Sequence, residues 1–372
     1  MNKKKLLQIG YSGLSGATYV GLCTVEGDIN RKWDHHFLFI GIEEIAIANK
    51  DKCNELNIPY SFIHKSKGLD LKAWWTAIKI YFKIRPSAII IHGTSELIIP
   101  LFFLKQINHG SIFIIEHTPT KLKTKAEWFF SNLSLLLSDQ VCLANKVYQS
   151  QYQKNILFFK QKKISLIHNG INIFQFKPSM NKCHDSETII LGMASRLDHE
   201  KDHITILRAL CILKENGYNH LQYVIIGDGP DKKYIEDMID SLDLTKEVKL
   251  LGSVGLSEVA KQLQELDIYV HSSKGETMSL SIMQAMATGL PIVATNVEGI
   301  NNNVEDGVDG LLFALGDEQS CFEKIKMLID NPSKRDFLGN NALHKAKTEY
   351  SHISLFKNID RLILNSKAQQ SY

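Results

Sequence analysis

Apolar runs of four to seven residues recur through the first half of the chain, at 5–10, 36–42, 61–64, 88–93, 112–117, 141–144 and 164–168. Each has the length of a strand, and segments of helical period lie between them. The second half repeats the pattern, with apolar runs at 188–195, 223–226, 248–251, 268–270 and 291–295. Strands alternating with helices predict parallel, doubly wound sheets in an α/β fold. A chain of 372 residues is long enough for two such domains. The polar stretch 179–187 reads as the linker between a domain of 1–178 and one of 179–350.

The densest chemistry lies in 267–297. Ile268, Tyr269 and Val270 form a strand, small and polar residues lead to Glu276, and a helix is predicted over 279–288 from the spacing of Leu280, Met283, Met286 and Ala287. Gly289 and Pro291 stop it. A strand, a loop and a helix N-terminus make an anion site, with the amides of Ser279, Leu280 and Ser281 directed at a phosphate. Glu276 beside a bound anion would accept hydrogen bonds from hydroxyls rather than pair with charge. Gln284 can also bond hydroxyls. Phosphate with polyol points to a nucleotide sugar; the same stretch also reads as a plain βα unit with a capping acid.

Arg196 and Lys201 stand after one predicted strand and at the start of the next helix, where the helix dipole disfavours cations. A phosphate ligand accounts for them. Near the other end of the chain, Gly13 and Gly16 follow the first strand and let a ligand approach the backbone closely. His117 closes the strand at 112–117; Glu116 could orient its ring, although neighbours on a strand usually point to opposite faces.

Composition narrows the class. At 44% hydrophobic and 22% charged, the chain is that of a soluble globular protein. Its six cysteines (Cys23, Cys53, Cys142, Cys183, Cys211, Cys321) are scattered without a Cys-x-x-Cys pair, which argues against a disulfide framework or zinc site and for a reducing cytoplasm. The lysine-rich start imitates a signal peptide, but Gln8, Gly10, Ser12 and Gly13 break the apolar run, so it reads as a first strand. Net charge is divided unevenly: residues 1–180 carry 23 basic and 12 acidic residues, the remainder 20 and 28. The basic half is expected to meet something anionic, such as a phosphate-bearing acceptor or a membrane surface. Two segments suit an interface: 68–85, with Trp74, Trp75, Tyr81, Phe82, Lys72, Lys79, Lys83 and Arg85, and above all 121–137, with Lys121, Lys123, Lys125, Trp128, Phe129 and Phe130. Each also reads as an ordinary amphipathic helix packed on a sheet.

Glu276, Gln284-Ala285-Met286-Ala287 and Gly289-Leu290-Pro291 resemble the Glu-x7-Glu signature of family-four retaining glycosyltransferases. Gln284 stands where that family has its second Glu, Ser272 replaces a Pro, and Thr277-Met278-Ser279 replace Gly-Phe-Gly. Further likenesses are Arg196-Leu197 with Lys201, Gly227-Asp228-Gly229-Pro230, Gly252-Ser253-Val254, Gly310-Leu311-Leu312-Phe313, and Asn169-Gly170-Ile171-Asn172 followed by Phe176-Lys177-Pro178. They cover nearly all of the second domain and less of the first.

The resemblance implies the GT-B fold: two Rossmann-like domains facing a central cleft, with the last helix (351–372) returning to the first domain. It implies that Arg196 and Lys201, with Gly13, Gly16, Ser279 and Leu280, bind the donor diphosphate. Gln284, Ser253 and Val254 would bind the nucleoside, while Glu276 and His117 would serve as catalytic residues that position the sugar. The expected activity is retaining transfer of a hexose or N-acetylhexosamine from a nucleotide sugar, UDP- before GDP-, to a surface polysaccharide or lipid-diphosphate-linked glycan. No metal and no other cofactor is expected, nor any nucleic acid. Location is expected in the cytoplasm, peripheral on the membrane's inner face. Alternatives are a nucleotide-sugar 2-epimerase of the same fold and a nucleotide-sugar-binding protein without turnover.

Overall fold

The computed structural model describes residues 3–66, 68–108, 110–118, 120, 123–157, 163–179 and 188–370. The expected linker beyond Ser179, Cys183 and Lys121 lie outside these. The chain divides into two units, residues 1–170 with 351–372, and residues 171–350.

The first unit runs β1 (Lys5–Tyr11), α1 (Gly16–Gly27), β2 (Asp34–Gly41), α2 (Ile47–Glu55), β3 (Tyr60–His64), α3 (Leu71–Ile84), β4 (Ala88–His92), α4 (Ile98–Asn108), β5 (Ser111–Ile115), α5 (Lys125–Leu137), β6 (Gln140–Leu143), α6 (Lys146–Lys154) and β7 (Ile164–Leu166). Among the described residues its strands form one parallel sheet, ordered β3-β2-β1-β4-β5-β6-β7. Alternate side chains feed opposite layers, as a pleated strand requires. Leu7, Ile9, Ile89, Ile91, Ile112 and Ile114 pack beneath α3, α4 and α5. Phe37 and Phe39 pack with Leu22 and Val25 of α1.

The second unit runs β8 (Ile189–Ala194), a 3-10 turn (His199–Lys201), α7 (His203–Glu215), β9 (Leu221–Ile226), α8 (Lys232–Ser241), β10 (Val248–Gly252), α9 (Leu256–Glu265), β11 (Ile268–His271), α10 (Leu280–Ala287), β12 (Ile292–Thr295), β13 (Gly310–Phe313), α11 (Glu318–Asp330) and α12 (Pro332–Thr348). Its parallel sheet is ordered β10-β9-β8-β11-β12-β13. Leu191, Met193, Ile225, Val270 and Val293 lie at its core with Ile206, Leu210 and Ile325 of the flanking helices.

The last helix, α13 (His352–Gln370), belongs to the first unit and packs on α1. Gly27 permits this approach, since a Cβ there would stand 2.1 Å from the His352 carbonyl oxygen. Lys32 Nζ and Trp33 Nε1 both reach the Asp360 carboxylate, at 2.6 and 2.9 Å. The expected architecture of two doubly wound Rossmann-like units is therefore present, with the return of the final helix.

Candidate functional site

Each sheet reverses its strand order once, between β1 and β4 in the first unit and between β8 and β11 in the second. At such a reversal the connections depart to opposite faces, which leaves a crevice beyond the carboxyl ends of the strands. The expected site residues gather at those edges. Gly13 and Gly16 follow β1 and His117 follows β5; Arg196 and Lys201 follow β8 and Glu276 follows β11.

In the second unit a cavity of about 290 Å³ opens at this edge. Arg196, Ser253, Val254 and Gln284 line it together, with Ser281 and Asp228. Gly227, at φ +144°, makes the close approach of its wall possible, because a Cβ would fall 1.8 Å from the Ser195 carbonyl oxygen. Leu197 N then donates to Asp228 O at 3.0 Å. Gln284 is 7% exposed. The Arg196 side chain is 71% exposed, and among the described residues its ion-pair partner is Asp198 at 3.7 Å, so its guanidinium is accessible to an anion.

The start of α10 differs from expectation in one respect. The Ser279 amide donates to Asn303 Oδ1 at 3.2 Å, so it is not directed at a ligand. Leu280 and Ser281 then open the first turn, where a helix has no internal acceptor for its amides.

Glu276 also differs. It was expected to meet hydroxyls rather than charge, yet Lys201 Nζ lies 2.5 Å from its Oε1. His271 Nε2 lies 2.8 Å from the same oxygen. Burial pushes the carboxyl upward, but His271 and Lys201 outweigh it and hold the group well below the usual carboxylate range. Glu276 is therefore an anion with its charge balanced. Burial keeps His271 below the ordinary imidazole range, against the pull of Glu276. Gly299 packs against the backbone of Glu276. Its φ is +88°, and a Cβ would stand 1.7 Å from the Glu276 carbonyl oxygen.

Lys201 ends the 3-10 turn rather than opening α7. The turn is tied to the Glu276 loop twice more. Ser272 Oγ donates to Asp202 Oδ2 at 3.0 Å, and Lys274 N donates to Glu200 O at 2.8 Å. His203, below, bonds Ser195 Oγ at 3.0 Å, and burial, with His271 and Lys201 near, pushes it down to about 3.

In the first unit the Gly13 turn is pinned by Asn49 Nδ2, which donates to the carbonyls of Ser12 and Gly13 at 3.1 Å each. Ser15 caps α1 by accepting from Thr18 N. His117 Nε2 lies 3.3 Å from His92 Nδ1, and His92 Nε2 lies 2.9 Å from Gln8 Oε1. Burial lowers both rings, His117 to about 4. Glu116 does not orient His117. It points to the other side of the chain, where it takes Lys123 Nζ at 2.5 Å. Lys123 also donates to Ser131 and sits over the Trp128 and Tyr152 rings.

Sequence reading passed over His271, Tyr269, Asp202, His92 and Gln8. The available signal was polarity: Gln8, His92 and His271 interrupt runs that are otherwise apolar and buried.

Residues 178–345 match the family Glycosyl transferases group 1. The alpha-monoglucosyldiacylglycerol synthase of Acholeplasma laidlawii is 29% identical over 208 residues, 51% of this chain and 50% of that protein. The UDP-Gal:alpha-D-GlcNAc-diphosphoundecaprenol alpha-1,3-galactosyltransferase of Escherichia coli is 29% identical over 236 residues, 60% of this chain and 59% of that one. The similarity thus spans about half to three-fifths of each of these relatives. The structure of HepE from Anabaena in complex with UDP superposes with a TM-score of 0.82 at 18% identity, over 97% of this chain and 100% of that chain, which shows a shared fold. Residues 178–345, which match that family, hold the Arg196 cavity and the Lys201–Glu276 pair.

Proposed function

We propose that the protein is a retaining glycosyltransferase that moves a hexose or N-acetylhexosamine from a UDP-sugar to a growing surface polysaccharide or lipid-linked glycan. The observation that carries this reading is the cavity at the β8/β11 reversal, where an exposed guanidinium, a carboxamide and three serines meet in the region that matches the group 1 family. Support for UDP and for a lipid-linked acceptor comes from the Escherichia coli relative's name, and for UDP from the ligand of HepE.

In this reading the nucleoside fills the cavity against Ser253 and Val254, and Gln284 bonds the ribose hydroxyls. Arg196, Lys201 and the amides of Leu280 and Ser281 face the diphosphate. As the bond to the anomeric carbon breaks, negative charge grows on the leaving phosphate, and these fixed donors stabilise it without a metal. That phosphate takes the acceptor proton, so no side chain is assigned as a general base. Glu276 accepts from the sugar through Oε2. In the first unit, His117 and the Gly13–Gly16 turn serve substrate at its own sheet edge. Release of UDP from a panel of UDP-sugars, in EDTA, tests the reading. One sugar should support turnover, and Arg196→Ala should cut it at least about a hundredfold. Binding without release in the wild type, with release gained in Gln284→Glu, would instead make this a sugar-nucleotide-binding protein.

We further propose a peripheral membrane contact. Among the described residues no helix is long and apolar enough to cross a membrane. The 121–137 segment is weaker than expected, because Lys123 is buried against Glu116. The α3 face is stronger. Trp75 is 60% and Phe82 46% exposed, among the exposed Lys72, Lys79 and Lys83, and Lys79 lies over the Trp75 ring. Such a face suits an anionic interface. Flotation with phosphatidylglycerol vesicles should carry the wild type up and leave Trp75→Glu behind; equal behaviour of the two removes the proposal.

A further inference from the structure

His271 is 0% exposed at the carboxyl end of β11, in a strand otherwise composed of Ile268, Tyr269 and Val270. An imidazole buried there loses hydration, so its hydrogen bonds must compensate. A carboxylate can only accept, so the proton of the 2.8 Å bond to Glu276 Oε1 belongs to His271 Nε2. Nδ1 is then the lone-pair nitrogen. It faces the Tyr269 hydroxyl at 3.5 Å, and the two rings stack with centroids 6.0 Å apart and an interplanar angle of 18°. The Tyr269 hydroxyl lies 3.2 Å from both the amide nitrogen and the carbonyl oxygen of Ala194. Ala194 is in the wall of the Arg196 cavity. Polar contacts therefore run from the cavity wall through Tyr269 and His271 to Glu276, the single Tyr269 proton going either to Ala194 O or to His271 Nδ1.

Lys201 and His271 both bind Oε1. One oxygen is thus held by two donors from two elements, and Oε2 takes neither of these bonds. Lys201 supplies charge but sits on a long, flexible stem. His271 is short, on a strand, and immobilised by its own stack, so it sets the direction.

We propose that His271 is a positioning residue that orients the Glu276 carboxylate, through the neutral Nε2–H tautomer, so that Oε2 receives a hydroxyl of the donor sugar. This rests on the reading of Glu276 as the sugar acceptor. It assigns to His271 the recognition of the sugar, as distinct from recognition of the nucleotide.

Two measurements test it. Long-range ¹H–¹⁵N spectra of the imidazoles in the wild type should show His271 as the Nε2–H tautomer between pH 6 and 8. The Nδ1–H tautomer, which has no proton to give Glu276, would overturn the proposal. Calorimetric titration then compares UDP with UDP-glucose, UDP-galactose and UDP-N-acetylglucosamine. In His271→Leu, UDP affinity should stay within about twofold, while the gain of the preferred UDP-sugar over UDP should fall about tenfold. His271→Gln keeps a donor near the Nε2 position and should restore most of that gain. The same sugar gain in wild type and His271→Leu, or equal loss of UDP and UDP-sugar binding in both variants, would overturn the proposal. Failure of the wild type to bind UDP would refute the donor-site reading instead, and the tautomer spectrum would still decide the pairing.

Discussion

Lys123 and Glu116 carry opposite charges into a place with no exposure of either side chain, 2.5 Å apart. Desolvating both is costly, and their attraction offsets the cost only while both are present. Lys123→Ala should therefore destabilise the first unit by about 3–5 kcal/mol in denaturant unfolding, whereas Lys123→Met with Glu116→Gln should cost much less. A loss below about 1 kcal/mol in the single variant would contradict this. The buried imidazoles make a second prediction. Folded-state values of about 4 for His117 and about 3 for His203 lie below the ordinary 6.5. The unfolded chain then binds more protons than the folded one between those limits. Stability is full above pH 6.5 and should fall as pH drops towards 4, at up to about 1.4 kcal/mol per pH unit per group. Melting temperature against pH should flatten in His203→Gln; an unchanged slope would contradict the assignment. At this level the sequence offers candidates one residue at a time and does not record which distant residue each one meets. Arg196, Ser253, Val254 and Gln284 were each identifiable by place in a motif. The Lys201–Glu276 pair joins positions 75 residues apart, and Asn303 reaches Ser279 across 24. No local pattern records such pairings.

The βα turns depend on backbone that ordinary residues cannot adopt. Gly299 combines φ +88° with a Cβ position 1.7 Å from the Glu276 carbonyl oxygen. Gly299→Ala should cost at least about 2 kcal/mol and displace the Glu276 loop, lowering sugar recognition more than nucleotide binding. A variant as stable and as active as the wild type would contradict the close packing of these loops. The turn and strand signals themselves were readable, because buried parallel strands are short apolar runs with clear limits. Ends moved by one or two residues, as at β5, which stops at Ile115 rather than at His117. The order of strands was not readable: the reversals at β1/β4 and β8/β11 arise from crossovers whose direction depends on packing of whole βα units.

The two units repeat one architecture. The same doubly wound sheet is built twice, and each reversal edge collects polar residues that the core could not hold. The basic half of the chain carries α3, with its exposed Trp75 and lysines, and the acidic half carries the Arg196 cavity. The measurement that bears most directly on this reading is thermal unfolding of the purified protein with UDP, compared between the wild type and Arg196→Ala. At 100 times its dissociation constant UDP should add about 2.7 kcal/mol of stability, a rise of a few degrees that persists in EDTA and disappears in Arg196→Ala. A wild type that melts at the same temperature with and without UDP would contradict the assignment of the cavity as a nucleotide site.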